Sequence, residues 1–417
     1  MPEELIAGLD IGSANIRIVV GQLTHGQDPE QLNIIGVIEV PSAGISKGTV
    51  VSIEDAVSSI STAIEKTERM IGLPVKNAWV SIGGVPVGSQ ESNGVIAISR
   101  ANGEIQEDDV ERVIDAARSV AAPVNHEILH VIPKVFSVDN QTGIKDPVGM
   151  TGIRLEVSTQ VIRGLSSHIK NLTKCVYRTG LDINDVVLSM LAAAESVLSL
   201  RQKELGVALV DIGATTTNII VFEEGNVIQA CVLPIGSDHI SRDLAIAMQS
   251  SFEVAERVKI EYGQASFDKV DKNEEINLRE LGGDDQVFSK RYITDIITAR
   301  VEEIFEKVDS ELQKINRGGL LPAGIVLVGG GAKLPGMIEI AKKKTLLPVT
   351  VGTVKRFNTA VDKVNDITYV NALGLVLWGY QMLQQRGSKR GFNVSGSLQH
   401  GRELMKKAKD WFKSLIS

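Results

Sequence analysis

Apolar runs broken by short polar turns recur along this chain, and two of the breaks are alike. Between Gly206 and Gly225 an apolar run (Val207, Ala208, Leu209, Val210) stops at Asp211. A turn of small and polar residues follows from Ile212 to Thr217, and a second apolar run (Ile219, Ile220, Val221, Phe222) returns. This pattern predicts a β-hairpin with a small-residue turn. The stretch Leu5 to Leu23 repeats it. Asp10 stands where Asp211 stands, Gly12 where Gly213 stands, and Ile18-Val19-Val20 where Ile219-Ile220-Val221 stands, at a constant offset of 201 residues. Two copies at a domain-sized separation predict an internal duplication.

The remaining pattern alternates strands and helices. Leu32 to Ile38 reads as the third strand of a meander. Ile53, Ala56, Val57, Ile60, Ile64 and Ile71 recur at helical spacing and predict an amphipathic helix over Ser52 to Ile71. Ala78 to Ile82 reads as a strand ending in Gly83-Gly84. From about Val85 to Gly164 the texture changes: strand-like runs surround one helix that starts near Gln106 with Glu107, Asp108 and Asp109 in its first turn, where the helix dipole favours acids. This predicts a small α+β module inserted into an α/β frame. Helices are predicted over 166–176, 190–200, 241–249, 253–262 and 292–315. A buried strand, Gly324 to Val328, runs into Gly329-Gly330-Gly331, and a closing helix starts near Tyr369 with Ala372 and Gly374 as small residues at a packing crossing.

With 417 residues the chain has length for two to four domains. An apolar fraction of 43% and a charged fraction of 23% fit a soluble globular protein. No apolar run approaches the ~18 residues of a membrane span. The acidic N-terminus passes straight into a strand, so no signal peptide is expected and a cytoplasmic protein is. Cys175 and Cys231 lie among apolar residues and are expected to be structural and reduced. The net charge of −7 hides an asymmetry: eight basic residues and two acids after Gln385 place +6 there, leaving −13 on the body. An acidic body with a basic tail is not a nucleic-acid footprint.

The candidate chemistry lies in the turns. Each hairpin turn exposes a row of backbone N–H groups, and Gly213 and Ala214 carry too little bulk to block a phosphate. Asp211, at a strand end, is placed to hold a water of Mg²⁺. Two such hairpins facing across a cleft would grip a polyphosphate from both sides. Three glycines at the carboxyl end of a strand let a flat ring or ribose lie against the backbone. No Gly-Lys-Ser/Thr follows them, so they are not a Walker loop. Glu195 is the one charge in MLAAAESVLSL. It reads either as a snorkelling residue at a helix edge or as a carboxylate aimed into the cleft to position an attacking water. Glu256 and Lys259, three apart, share a helix face. His126 and His130 lie in a strand-like segment and read as structural rather than metal-binding.

Taken in order, the Asp10–Asn15 hairpin, the Glu195 helix, the Asp211–Thr216 hairpin, the Gly329–Gly331 turn and the Asn371–Gly374 helix resemble the actin, heat-shock chaperone and sugar-kinase ATPase superfamily over residues 5–385. More narrowly, the inserted module and the terminal amphipathic segment are similar to those of the FtsA family of bacterial cell-division proteins. The resemblance implies a two-lobed α/β actin-like ATPase fold with a duplicated core and an inserted α+β subdomain in the first lobe. It implies ATP and Mg²⁺ as cofactors, with slow turnover at most. Asp10 and Asp211 would hold the hydrated Mg²⁺. Gly12, Ser13, Ala14 and Asn15 would donate to the phosphates from one side, and Gly213, Ala214, Thr215 and Thr216 from the other. Glu195 would orient the water. Gly236 would form a third loop, although Ser237 stands where relatives often have a second glycine. Glu256 and Lys259 would reach the ribose and adenine, with Gly329, Gly330, Gly331 and Lys333 lining the nucleoside. The implied division is 1–84 with 165–199, the insert 85–164, 200–236 with 316–385, and a subdomain 237–315 over the nucleotide.

The tail completes the resemblance. Residues 386–402 are Gly/Ser-rich and basic, as in a flexible linker. In 403–417 the residues Leu404, Met405, Ala408, Trp411, Phe412, Leu415 and Ile416 share one helical arc, flanked by lysines, as in an interfacial membrane helix binding anionic lipid. The FtsA resemblance implies a polymerising protein that tethers the FtsZ ring to the cytoplasmic face of the membrane at the division site. Its partners would be the acidic FtsZ C-terminal tail, further copies of itself and downstream division membrane proteins. Arg291, Tyr292 and Arg300 are where the FtsZ tail is expected. A small-molecule kinase or a pilus-assembly relative is the alternative. A kinase needs an acceptor pocket and a base that no unclaimed residue supplies, and neither needs the tail.

Overall fold

A computed structural model describes residues 4–24, 31–120, 124–266, 274–354, 358–359 and 361–388. The tail residues 404–416 and most of the expected linker lie outside them. The closing helix, Val370–Ser388, runs past the linker start expected at Arg386.

Two sheets form the frame, and they share a topology. In the first, Gln31–Pro41, Asn15–Thr24 and Glu4–Ile11 make an antiparallel meander, continued in parallel by Asn77–Ile82 and Asp182–Leu188. In the second, Asn226–Leu233, Thr217–Glu223 and Val207–Ile212 make the meander, continued in parallel by Ile325–Val328 and Val349–Val351. The duplication extends to register. Asp10 pairs with Arg17, and Asp211 pairs with Asn218, each partner seven residues on. In both hairpins the turn glycine N–H donates to a carbonyl three residues later: Gly12 to Asn15 at 3.0 Å, Gly213 to Thr216 at 2.9 Å.

Two cores run through the frame, and the first also takes one face of the second sheet through Leu209, Ile220 and Val326. Ile6, Leu9, Val19, Ile60, Val80 and Leu188 belong to the first; Val210, Ile219, Leu244, Ile297, Phe305 and Leu327 belong to the second. Burying one such side chain contributes about 1.5–3 kcal/mol. The insert packs a helix, Glu107–Val120, on a four-stranded sheet of 88–97, 126–138, 141–144 and 154–165, with a third core around Val113, Leu155 and Val161.

Two helix boundaries depart from the periodicity. The segment expected as one helix over 190–200 is two: Ser189–Val197 stops at extended Leu198, and Leu200–Leu205 starts from a capping box made by Ser199 and Gln202. The helix expected from Ser241 begins at Ser237, because its polar first turn docks on the second hairpin. Ser237 N–H donates to the Gly213 carbonyl at 2.9 Å and Asp238 N–H to that of Ala214 at 2.8 Å. The closing helix crosses Ser189–Val197 at Gly374, where a Cβ would lie 1.8 Å from the Ala192 carbonyl oxygen, so only glycine permits that approach.

Candidate functional site

The two hairpin turns face one cleft of about 470 Å³ between the lobes. Asp10, Gly12, Ser13, Ala14 and Asn15 line it from one side, and Asp211, Gly213, Ala214, Thr215 and Thr216 from the other. Glu256, Lys259, Gly329, Gly330, Gly331 and Lys333 also line it, so nearly all the expected cleft residues converge. Gly236 sits just behind the wall. A Cβ there would lie 2.6 Å from the carbonyl oxygens of both Gly213 and Ala214, so its role is close backbone packing under the second turn. The lining residue of that third loop is Ser237.

The acidic pair is buried: Asp10 is 5% exposed and Asp211 6%. Ser81 donates its hydroxyl to Asp10 Oδ1 at 2.7 Å. Asn371 Nδ2 donates to Asp211 Oδ2 at 3.2 Å, and Asn218 Nδ2 lies 3.4 Å from the same oxygen. Burial pushes both carboxyl groups above the ordinary carboxylate range, and for Asp211 the neighbouring Asp10 charge adds to the rise. The Oδ1 atoms of Asn218 and Asn371 are buried without a hydrogen-bond partner. Two crowded carboxylates with unsatisfied amide oxygens beside them form a hard-oxygen donor set that suits a hydrated Mg²⁺.

The end of the cleft at Gly329–Gly331 is open. Gly329 has φ +85°, and a Cβ on it would lie 2.2 Å from Asp211 Oδ1. A Cβ on Gly330 meets nothing nearer than Thr368 Cγ2 at 4.0 Å, so any side chain there would project into the cleft. On the facing helix, Phe252–Tyr262, Lys259 Nζ donates to Glu256 Oε2 at 2.6 Å and to the Ser237 carbonyl at 3.3 Å, and Ser241 also donates to Glu256. Lys333 Nζ pairs with Asp366 Oδ2 at 2.6 Å.

Glu195 requires a correction. It does not line the cleft; Lys203 Nζ binds its Oε1 at 2.6 Å, with both side chains nearly excluded from solvent. Lys203 also lies over the Phe222 ring, 5.2 Å from its centroid. The helix break at Leu198 folds Lys203 back onto the carboxylate, which makes Glu195 part of the interlobe packing rather than a water-orienting group. Arg300 is likewise not a free cation. Asp243 holds its guanidinium through Nε and Nη2 at 2.6 and 2.8 Å, and Glu303 contacts it too. Arg291 and Arg300 are nine residues apart on the helix Lys290–Lys314, about half a turn out of phase, so they do not form one face. Tyr292 is half-exposed and stacks on Phe288. Arg300 borders a separate groove of about 480 Å³ with Leu233, Pro234, Ile235, His239 and Lys307.

The cleft also contains residues that periodicity did not single out: Arg17, Gly48, Ser81, Asn218, Thr368 and Asn371. Arg17 and Asn218 had a signal in the sequence, since they occupy equivalent places in the repeated hairpin. Gly48, Ser81 and Thr368 enter through tertiary convergence alone.

Comparison with known proteins gives concordant matches. The model of the family described as Cell division protein FtsA matches residues 208–374, and that of the SHS2 domain inserted in FtsA matches residues 84–163. Cell division protein FtsA of Bacillus subtilis (strain 168) is 40% identical over 94% of this chain and 87% of its own length. That of Pseudomonas aeruginosa is 36% identical over 94% of this chain and 93% of its own. Among solved structures, a PilM–PilN type IV pilus biogenesis complex aligns with TM-score 0.64 at 16% identity, covering 90% of this chain and 98% of that one. MreB5 of Spiroplasma citri bound to ADP aligns with TM-score 0.54 at 12% identity, covering 92% and 98%. These structural likenesses establish the actin-like fold.

Proposed function

The chain belongs to the FtsA family of cell-division proteins, and from that premise we propose that it binds Mg²⁺-ATP between its lobes and tethers the FtsZ ring to the cytoplasmic face of the membrane. The observation that carries the nucleotide part is the pair of equivalent turns, with Asp10 and Asp211 buried against one cleft. Solved MreB5 structures with ADP or AMPPNP share the fold and support the same reading. In this reading the N–H groups of Gly12 to Asn15 and Gly213 to Thr216 bind the phosphates. Arg17, on the cleft wall, adds positive charge. Asp10 and Asp211 hold hydrated Mg²⁺, which when bound neutralises phosphate charge. Gly330 and Gly331 give the nucleoside a flat wall, and Glu256 and Lys259 face it. With Glu195 withdrawn from the cleft, turnover is slow.

The tether is assigned to the apolar arc Leu404, Met405, Ala408, Trp411, Phe412, Leu415 and Ile416, acting on anionic lipid. No helix among the described residues is long and apolar enough to cross a membrane, so the attachment proposed is peripheral. The FtsZ tail is assigned to the subdomain 237–315, in which Tyr292 stands half-exposed on the helix Lys290–Lys314. Further copies of the chain and downstream division membrane proteins are the other partners of this reading. Flotation with anionic liposomes tests it. The full chain should float and a version ending at Ser388 should not, while both keep ATP binding. Equal flotation of the two would refute the tether.

A further inference from the structure

Two histidines that serve no role in the nucleotide reading, one in the inserted module and one in the helix that follows it, meet the backbone behind the cleft. His168 begins the chain's return from the module, two residues into the helix Ser166–Tyr177, and is 5% exposed. Its Nε2 lies 2.9 Å from the Gly83 carbonyl oxygen. A carbonyl only accepts, so Nε2 carries the proton; Nδ1 is buried without a partner. His130 sits on the module strand His126–Val138. Its Nε2 accepts the Leu188 N–H at 3.0 Å, so that nitrogen is unprotonated. The two neutral rings thus hold opposite tautomers, each set by the backbone group it meets.

Those backbone groups are the exits of two adjacent parallel strands, where Ile82 pairs with Leu188. The next residues, Gly83 and Ser189, both line the cleft. They also touch: a Cβ on Gly83 would lie 2.9 Å from Ser189 Oγ. Beyond the strand pairing, the Gly83 C=O and the Leu188 N–H therefore depend on the two histidines. The module reaches the second lobe as well, where Ala230 N–H donates to Ser89 Oγ at 2.9 Å and Lys145 lies 3.6 Å from Glu204. A change in lobe separation must then strain either these contacts or the histidine pair.

The geometry points to His130 and His168 as positioning residues that couple the module to the nucleotide cleft, so that ligand in the cleft orders the module and a partner held by the module alters ligand affinity. The inference rests on the nucleotide reading above, and the coupling is reciprocal by linkage.

Hydrogen exchange on the full chain, with and without Mg²⁺-ATP, tests it. ATP should slow exchange at 12–15 and 213–216, and also in the module strands 126–138 and 154–165. His168→Leu and His130→Leu should keep the first effect, lose the second, and weaken ATP binding about three- to tenfold, as loss of one hydrogen bond implies. His168→Gln, whose amide can donate, and His130→Gln, whose amide can accept, should restore both. Protection of the phosphate turns with no change in the module of the wild-type protein overturns the coupling, whether or not a leucine variant folds. No protection at the phosphate turns overturns the nucleotide reading itself, and this inference with it.

Discussion

Lys47 and Thr215 lie in different lobes, yet the Lys47 N–H donates to Thr215 Oγ1 at 3.1 Å. The neighbouring Gly48 N–H donates to Ser13 Oγ at 3.0 Å. One short turn therefore touches both hairpin turns of the cleft. It does so because Lys47 and Gly48 both adopt left-handed backbone, φ 51° and 73°, which aims successive N–H groups the same way. Thr215→Val keeps the shape and removes the acceptor. It should cost about 1–3 kcal/mol, since the Lys47 N–H is left part-buried and unpaired. Thr215→Ser should stay within about 0.5 kcal/mol of the parent. Chemical denaturation of the three proteins without nucleotide checks both.

The Asp10–Asp211 pair predicts a trade between stability and binding. Burial raises both carboxyl pKa values, so without a cation the folded state disfavours their charged forms. The stability they contribute is fully present below the unfolded aspartate value of about 3.9 and is lost as pH rises through the higher folded values. Asp211→Asn removes that loss. At pH 7 the ligand-free variant should be more stable than the parent by about 0.5–2 kcal/mol, with a flatter stability profile between pH 4 and 7. It should also lose the rise in melting temperature that Mg²⁺-ATP gives the parent. A variant that melts lower without ligand contradicts the argument.

The Glu195–Lys203 pair predicts strong non-additivity. Glu195→Gln or Lys203→Met alone leaves a buried charge without its partner and should cost about 3–5 kcal/mol. The double variant Glu195→Gln/Lys203→Met removes both charges and should recover most of that cost, so that its destabilisation falls far short of the sum of the two single changes in a double-mutant cycle. Because neither side chain reaches the cleft, folded double variant should bind ATP with the parent affinity.

The parts of the site readable in the sequence are those carried by local pattern. Repeated Asp-Gly turns announced Asp10 and Asp211, and glycines after a buried strand announced the Gly329–Gly331 wall. Both are short-range signals: a strand exit and a turn need only a few adjacent residues. Glu195 was misplaced for the opposite reason. Its helix is buried on every side, so periodicity gives no direction, and its partner arrives only through the turn at Leu198. The pairing of Arg300 was hidden in the same way, since Asp243 lies 57 residues away and no spacing rule joins them. Asn371 joins Asp211 across 160 residues, a contact that exists only once the closing helix crosses at Gly374.

Adjacent glycines in the cleft wall should separate folding from binding. Gly329 holds φ +85°, and an alanine Cβ there would drive into Asp211 Oδ1 and the Ile212 carbonyl. Gly329→Ala should therefore destabilise the ligand-free protein by more than the ~1–2 kcal/mol of a left-handed alanine alone. Gly330 holds ordinary right-handed backbone, φ −63°, and its Cβ would point into open cleft. Gly330→Ala should fold at least as stably as the parent, since alanine is tolerated there and narrows the unfolded ensemble. Its methyl group would occupy the surface that the nucleotide reading gives to the base or ribose, and larger side chains would intrude further. ATP affinity should then fall in the order Gly, Ala, Val at 330, by about tenfold or more at valine, while melting temperatures without nucleotide do not fall. Fluorescent-nucleotide titration alongside those melts checks the series. Unchanged affinity at valine would show that the nucleoside does not lie on this wall.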